Sequence, residues 1–215
     1  MILKTAQIKN QELILILIIF NQRLMIDNNL ILFPVKIKHV KKFIEQSEIT
    51  NILLEIKKHT HVNHNSLIGK ANSTHKFFTN FLKNSKIEKK LNNMIKEYCK
   101  IIGVNNQIIY NCWTNIQKKD SKLIKHSHAD SPVSGVLYLQ VDDKSSKIYF
   151  YNPNPYIHVM NIKNNNETNF EYVYFKPEVG DLIIFPGWLL HGSNEETNKS
   201  KERIALSFNT TDEIT

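Results

Sequence analysis

From residue 106 onward the chain is a series of short runs rich in Ile, Val, Tyr and Phe, separated by Asn, Asp, Pro and Gly. The candidate strands are 107–116, 123–126, 133–141, 147–151, 170–175, 181–185 and 203–209. Strands this short, broken by turn-forming residues, close into an all-β sandwich or barrel. The preceding texture differs. Residues 38–102 read as largely helical, with Val40, Phe43, Ile44, Ile49, Ile52, Leu53 and Ile56 recurring mostly at three- and four-residue steps. A second helical stretch, 77–102, carries Phe78, Phe81, Leu82, Ile87, Leu91, Met94, Ile95 and Tyr98, and Gly103 is placed to stop it. Between the two, the polar, His-rich residues 60–75 read as a loop. Helices followed by about seven strands give an α+β expectation: an all-β sandwich or barrel over 106–210, with N-terminal helices packed on one sheet.

At 215 residues and 41% hydrophobic content the chain suits a single domain, placed at 26–215. Residues 1–25 read as a short extension, with Met25 as an alternative start and 25–34 as an opening strand. The apolar run 13–20 has eight residues against the about 20 that a spanning helix needs. No small-residue cleavage site follows it, so neither a membrane span nor a signal peptide is expected. Cys99 and Cys112 lack metal-binding spacing and read as reduced core thiols of a cytoplasmic protein. The net charge of +8 comes from dispersed lysines with no block of five and no Arg-rich stripe. That pattern argues against a nucleic-acid partner but suits anionic ligands.

Two segments carry chemistry. One is Lys125-His126-Ser127-His128-Ala129-Asp130-Ser131-Pro132, leading into the strand that starts at Val133; the other runs from Gly180 to His191-Gly192 and is followed by Glu202 to Asn209. Residues i and i+2 of an extended segment point the same way, so His126 with His128, or His128 with Asp130, can face one metal. His191 supplies a third ligand from a distant strand. Two His and a carboxylate on one octahedral face is the usual non-haem Fe(II) set, leaving positions for a bidentate cosubstrate and O2. Arg203, twelve residues past His191, could grip a distal carboxylate through two parallel hydrogen bonds; Lys176 and Lys201 are the substitutes. Alternation puts Arg203, Ala205, Ser207 and Asn209 on a pocket face, and Ile204, Leu206 and Phe208 under the helices.

Each of these residues also has a plainer reading. A lone strand-end His is more often structural than ligating. Trp113 and Trp188 fit core or pocket wall, Tyr138 fits core or cosubstrate contact, and Asn115 fits pocket lining or a bond to its own backbone. His158 reads as loop surface.

The segments His126-Ser-His128-Ala, Ser134-Gly-Val-Leu-Tyr138, Phe185-Pro-Gly-Trp-Leu-Leu-His191 and Arg203-Ile-Ala-Leu-Ser-Phe-Asn209 resemble, in order, those of a 2-oxoglutarate/Fe(II) oxygenase family common in marine phages and bacteria. Leu32-Phe33-Pro34 and Trp113-Thr-Asn115 extend the likeness to about residues 30–210. The sequence departs at Ala129, where the family favours Pro, and at Leu137, which replaces a Tyr able to bond the cosubstrate in related oxygenases.

The resemblance implies a double-stranded β-helix (jelly roll, cupin-like). It implies Fe(II) as cofactor, 2-oxoglutarate and O2 as co-reactants, and hydroxylation of an unidentified substrate. Metal candidates are His126, His128, Asp130 and His191, with both pairings open; cosubstrate candidates are Arg203, Ser207, Asn115 and Tyr138. The rival readings are a non-catalytic cupin-like metal-binding module and a phage accessory protein.

Overall fold

The computed structural model describes residues 25–26, 29–30, 33–77 and 80–213. The apolar run 13–20, Leu32 and Phe78 lie outside the described residues. The chain divides into two compact units, up to Lys36 and from Ile37 onward. In the first, β1 (Met25–Ile26) pairs antiparallel with β2 (Asn29–Leu30), so two short paired strands stand where one strand was expected.

Two antiparallel sheets form the body of the second unit. The larger has six strands in the order β3 (Lys38–Val40), β11 (Leu182–Pro186), β8 (Val133–Gln140), β13 (Glu202–Asp212), β6 (Gln107–Lys118) and β5 (Ala71–Ser73). The smaller has β10 (Tyr172–Phe175), β9 (Ile148–Tyr151) and β12 (His191–Gly192). A two-stranded pair, β4 (Leu67–Ile68) with β7 (Lys122–Leu123), lies beside them in sequence. This is the double-stranded β-helix, α+β with helices on one sheet, that the sequence led us to expect.

One face of the large sheet carries the helices α1 (Gln46–Ile56) and α2 (Lys86–Ile102). Ile49, Ile52 and Ile56 of α1 join Ile87, Leu91, Ile95 and Tyr98 of α2 in one core with Leu137, Leu139, Leu182, Ile184, Ile204, Leu206 and Phe208 of the sheet. Burying each such aliphatic side chain contributes about 1.5–3 kcal/mol. The alternation read along 203–209 therefore holds: its apolar set lies under the helices. Gly135 permits close packing there, because a Cβ on it would sit 2.2 Å from the Phe208 ring.

Three local expectations change. Residues 38–40 begin a strand, not a helix: β3 pairs with β11, and His39 Nε2 meets the buried Asp181 carboxylate at 2.9 Å. That tertiary anchor overrides a weak helical pattern. The second helix starts at Lys86 rather than 77, because Ser85 Oγ caps it by accepting the Glu88 N–H at 3.0 Å. It ends as expected, with Gly103 in the left-handed region at φ 74°. The 60–75 segment is only partly loop, since β4, β5 and the 3-10 turn His75–Phe77 fall in or against it. Among the described residues no helix is long and apolar enough to cross a membrane.

Candidate metal centre and cosubstrate pocket

Strands 107–118, 133–140 and 202–212 lie side by side, and cross-strand partners stack their inward side chains in rows. Arg203 pairs with Gln117, Ala205 with Asn115 and Tyr138, and Ser207 with Trp113 and Val136. All of these line one pocket, closed from the other side by Ile148, His191 and Gly192 of the small sheet. The pocket therefore lies between the two sheets, with the helices on the far side of the large one.

The histidines arrive on backbone that is fixed independently of their side chains. His126 and His191 exchange both main-chain hydrogen bonds at 2.9 Å, and His128 N–H donates to the Gly187 carbonyl at 2.8 Å. Those bonds stitch the 126–128 segment onto the 187–191 segment. The expected strand at 123–126 is thereby reduced to β7 and a single bridge at His126. Gly187 is required by this approach: a Cβ on it would lie 1.9 Å from the Ser131 carbonyl oxygen and 2.9 Å from that of His128.

The result is a cluster in which one ligand atom each from His126, His128 and His191 lies within 4.8 Å of the others. Asp130 is not in it; it is exposed on the turn that follows. Second hydrogen bonds set two of the rings. His126 Nδ1 donates to the Ile124 carbonyl at 2.9 Å and His191 Nδ1 to the Leu189 carbonyl at 2.8 Å. A carbonyl only accepts, so each Nδ1 carries the proton and each Nε2 keeps its lone pair, the arrangement that metal-bound histidines use. Burial keeps the rings neutral. It lowers His126, pushes His128 down to about 4 with help from His126 and His75, and holds His191 well below its ordinary value with help from His126. Three neutral imidazoles suit a borderline divalent metal such as Fe(II).

Arg203 lies at the other end of the pocket, buried against the Tyr138 ring with its guanidinium carbon 5.0 Å from the ring centre. Its Nε donates to the Ser146 carbonyl at 3.2 Å and its Nη1 to Gln117 Oε1 at 2.6 Å. Burial lowers its affinity for the proton, opposed by Tyr138, yet a guanidinium stays charged in a protein. Around it three buried polar atoms lack any hydrogen-bond partner: Gln117 Nε2, Tyr138 Oη and Ser146 Oγ. Buried polar groups are nearly always paired, so this concentration of unmet donors beside a cation fits a bound carboxylate.

The other sequence candidates distribute clearly. Asn115, Ser207 and Tyr138 line the pocket, whereas Asn209 accepts a hydrogen bond from Ser134 Oγ at 2.8 Å and is not among the lining residues. Leu137 points into the helical core, so the departure there leaves the pocket untouched. Lys176 and Lys201 are exposed and lie outside the pocket, and so does His158, which sits exposed in a 3-10 turn (Ile157–Val159) rather than a loop. Trp113 is pocket wall, edge-on to His128 with ring centres 5.6 Å apart. Trp188 is 52% exposed.

Sequence reading missed Gln117, although it continues the alternation of Trp113 and Asn115. It also missed His75 and His64, packed edge-to-face behind Trp113 with ring centres 4.8 Å (His75–Trp113) and 4.5 Å (His64–His75) apart. Burial first, then His64 and His126, push His75 to about 4. No spacing in the irregular 60–75 segment marks those two residues.

The match to known sequences falls on these same strands: residues 111–209 match the family model described as "Putative 2OG-Fe(II) oxygenase". Residues 111–209 thus resemble a 2OG-Fe(II) oxygenase domain. Such a domain uses Fe(II) as cofactor and 2-oxoglutarate as cosubstrate, and the histidine cluster and the Arg203 seat fit both.

No curated protein sequence matches the chain. Solved structures match in fold. HygX from Streptomyces hygroscopicus, with nickel and 2-oxoglutarate bound, shares 12% identity at a TM-score of 0.57, with 83% of each chain covered. A Pseudomonas putida prolyl-4-hydroxylase shares 11% at 0.56, covering 84% of this chain and 94% of its own. The viral collagen prolyl hydroxylase of Paramecium Bursaria Chlorella virus-1 shares 14% at 0.55, covering 82% and 96%.

Proposed function

We propose that His126, His128 and His191 hold Fe(II) through their Nε2 atoms, that Arg203 grips the distal carboxylate of 2-oxoglutarate, and that the chain hydroxylates a substrate yet to be identified. The observation that carries this reading is the joint placement, in one pocket, of three neutral histidines, two of them with the tautomer fixed, and a buried guanidinium ringed by unmet donors. Of the two pairings considered from sequence, the cluster supports His126 with His128, leaving Asp130 as a turn carboxylate.

Bound Fe(II) would supply the oxidising chemistry, with O2 splitting 2-oxoglutarate into succinate and CO2 and giving its second oxygen atom to a substrate C–H. The protein's own residues orient and enclose. Ile124 and Leu189 carbonyls hold two rings in register, and the Gly187 carbonyl fixes the backbone that carries the third. Tyr138, Ile148 and Phe185 give the pocket apolar walls. Three neutral ligands leave the charge of a divalent metal uncompensated, which favours a dianionic cosubstrate over a neutral one. The two buried, unbridged thiols, Cys99 and Cys112, fit a reducing compartment such as the cytoplasm.

The deciding experiment is oxygen-dependent succinate release from 2-oxoglutarate on adding Fe(II), with His191→Ala as the control. Succinate formed by the parent but not by the control supports the proposal. A metal-loaded parent that releases none is a metal-binding module instead.

A further inference from the structure

Gln117 is wholly buried, at 0% exposure, yet only half of its amide is used. Its Oε1 accepts from Arg203 Nη1 at 2.6 Å, and because a guanidinium can only donate, the oxygen end must face Arg203. This fixes the amide orientation on chemical grounds. Nε2, with two N–H groups, is left without a partner, and the residue lines the pocket. A buried donor left unmet costs about 1–3 kcal/mol, so the arrangement makes sense when something accepts from it.

What would accept is defined by the neighbours. Arg203 has spent two of its five N–H groups on Ser146 and Gln117. Tyr138 Oη and Ser146 Oγ are also unmet. Every group on offer around that point is a donor or can act as one, and Gln117 Oε1 is already bound to the guanidinium. An ionised carboxylate, with about four lone-pair sites and no proton, matches that set; a carboxamide brings its own N–H groups against donors.

We propose that Gln117 is a specificity-determining residue for the cosubstrate. On this account its amide N–H groups bind the distal carboxylate beside Arg203 and reject the neutral amide analogue. The inference rests on the cosubstrate reading given above. It assigns to Gln117 a direct contact, in addition to holding Arg203.

The test uses the full chain loaded with Mn(II), so that binding is read by calorimetry without turnover. The probes are 2-oxoglutarate and 2-oxoglutaramate, in which the distal carboxylate is a carboxamide. The parent should bind 2-oxoglutarate at least about a hundredfold more tightly, by analogy with sites whose buried polar groups would be left mispaired. Gln117→Glu keeps the acceptor toward Arg203 and replaces the N–H groups by a second acceptor; it should weaken 2-oxoglutarate by a similar factor while tightening 2-oxoglutaramate. Gln117→Met should weaken 2-oxoglutarate about tenfold and leave Mn(II) affinity at the parent value.

The comparison of the two probes on the parent needs no variant, so a folding failure cannot shelter the proposal. A parent ratio near one overturns it, as does a folded Gln117→Glu that still prefers 2-oxoglutarate like the parent. A parent that binds Mn(II) but neither probe overturns the cosubstrate reading itself, and this inference with it. Probe binding with the parent's selectivity intact in the variants overturns the role of Gln117 alone.

Discussion

Gly187→Ala should damage the metal centre without touching a ligand. Gly187 carries the carbonyl that receives the His128 N–H at 2.8 Å, and its own N–H reaches the Pro132 carbonyl at 3.2 Å. A Cβ would lie 1.9 Å from the Ser131 oxygen, whereas contacts below 3.0 Å are essentially never tolerated. The two strands must therefore part by at least about 1.1 Å, and the obstacle is main chain, which cannot rotate aside. Overpacking of this kind costs about 1–3 kcal/mol of stability. The movement is delivered to the turn that begins at His128. Disturbing the groups that hold a ligand in place commonly costs 10–100-fold in metal affinity, or about 1.4–2.7 kcal/mol. Calorimetric titration of the apo-protein with Fe(II) under anaerobic conditions, alongside thermal melting, measures both. The reasoning fails if Gly187→Ala melts like the parent and binds Fe(II) with the same affinity, because then the contact does not position His128.

Further outcomes follow from the same geometry. His126→Ala should weaken Fe(II) by about a hundredfold or more, whereas Asp130→Ala should change it by less than about threefold; the reverse order in a titration would return the carboxylate pairing. Arg203→Lys should raise the KM for 2-oxoglutarate at least about tenfold, or roughly 1.4 kcal/mol, with anaerobic Fe(II) affinity unchanged, since an ammonium cannot replace a guanidinium that bonds Gln117 and Ser146 at once. The folded apo-protein holds His75 and His128 near 4, below their unfolded values near 6.5. The unfolded chain then binds more protons between those limits, so the stability contributed is complete above about 6.5 and lost as pH falls toward 4. Melting temperatures flat across that window would show that these rings are not buried neutral.

Much of the fold was legible in residues 106–210 because alternation reports burial directly. Ile204, Leu206 and Phe208 read as outward and lie under the helices; Arg203, Ala205 and Ser207 read as inward and line the pocket. The same logic, carried two residues past Asn115, would have reached Gln117. The helical half was less legible. Hydrophobic spacing cannot separate a three-residue edge strand such as 38–40 from the start of a helix, since what decides it is a partner, Asp181, far along the chain. Nor could spacing choose between His126 and Asp130, because both sit at i±2 from His128. The choice depends on which neighbour is drawn against 187–191 by main-chain bonds, and that is a property of the paired segments. His64 and His75 reach the site through tertiary packing alone.

The reciprocal main-chain bonds between positions 126 and 191 hold regardless of which side chains those positions carry. The scaffold and the ligand set are therefore separable, in the way a socket is separable from what is plugged into it. A carboxylate could be exchanged for the imidazole at 126 or 128 with the backbone left as it is, altering the net charge of the ligand set by one unit at a stroke. A lineage, or an engineer, could thus retune the reactivity of this centre by single substitutions without having to rebuild the barrel around it.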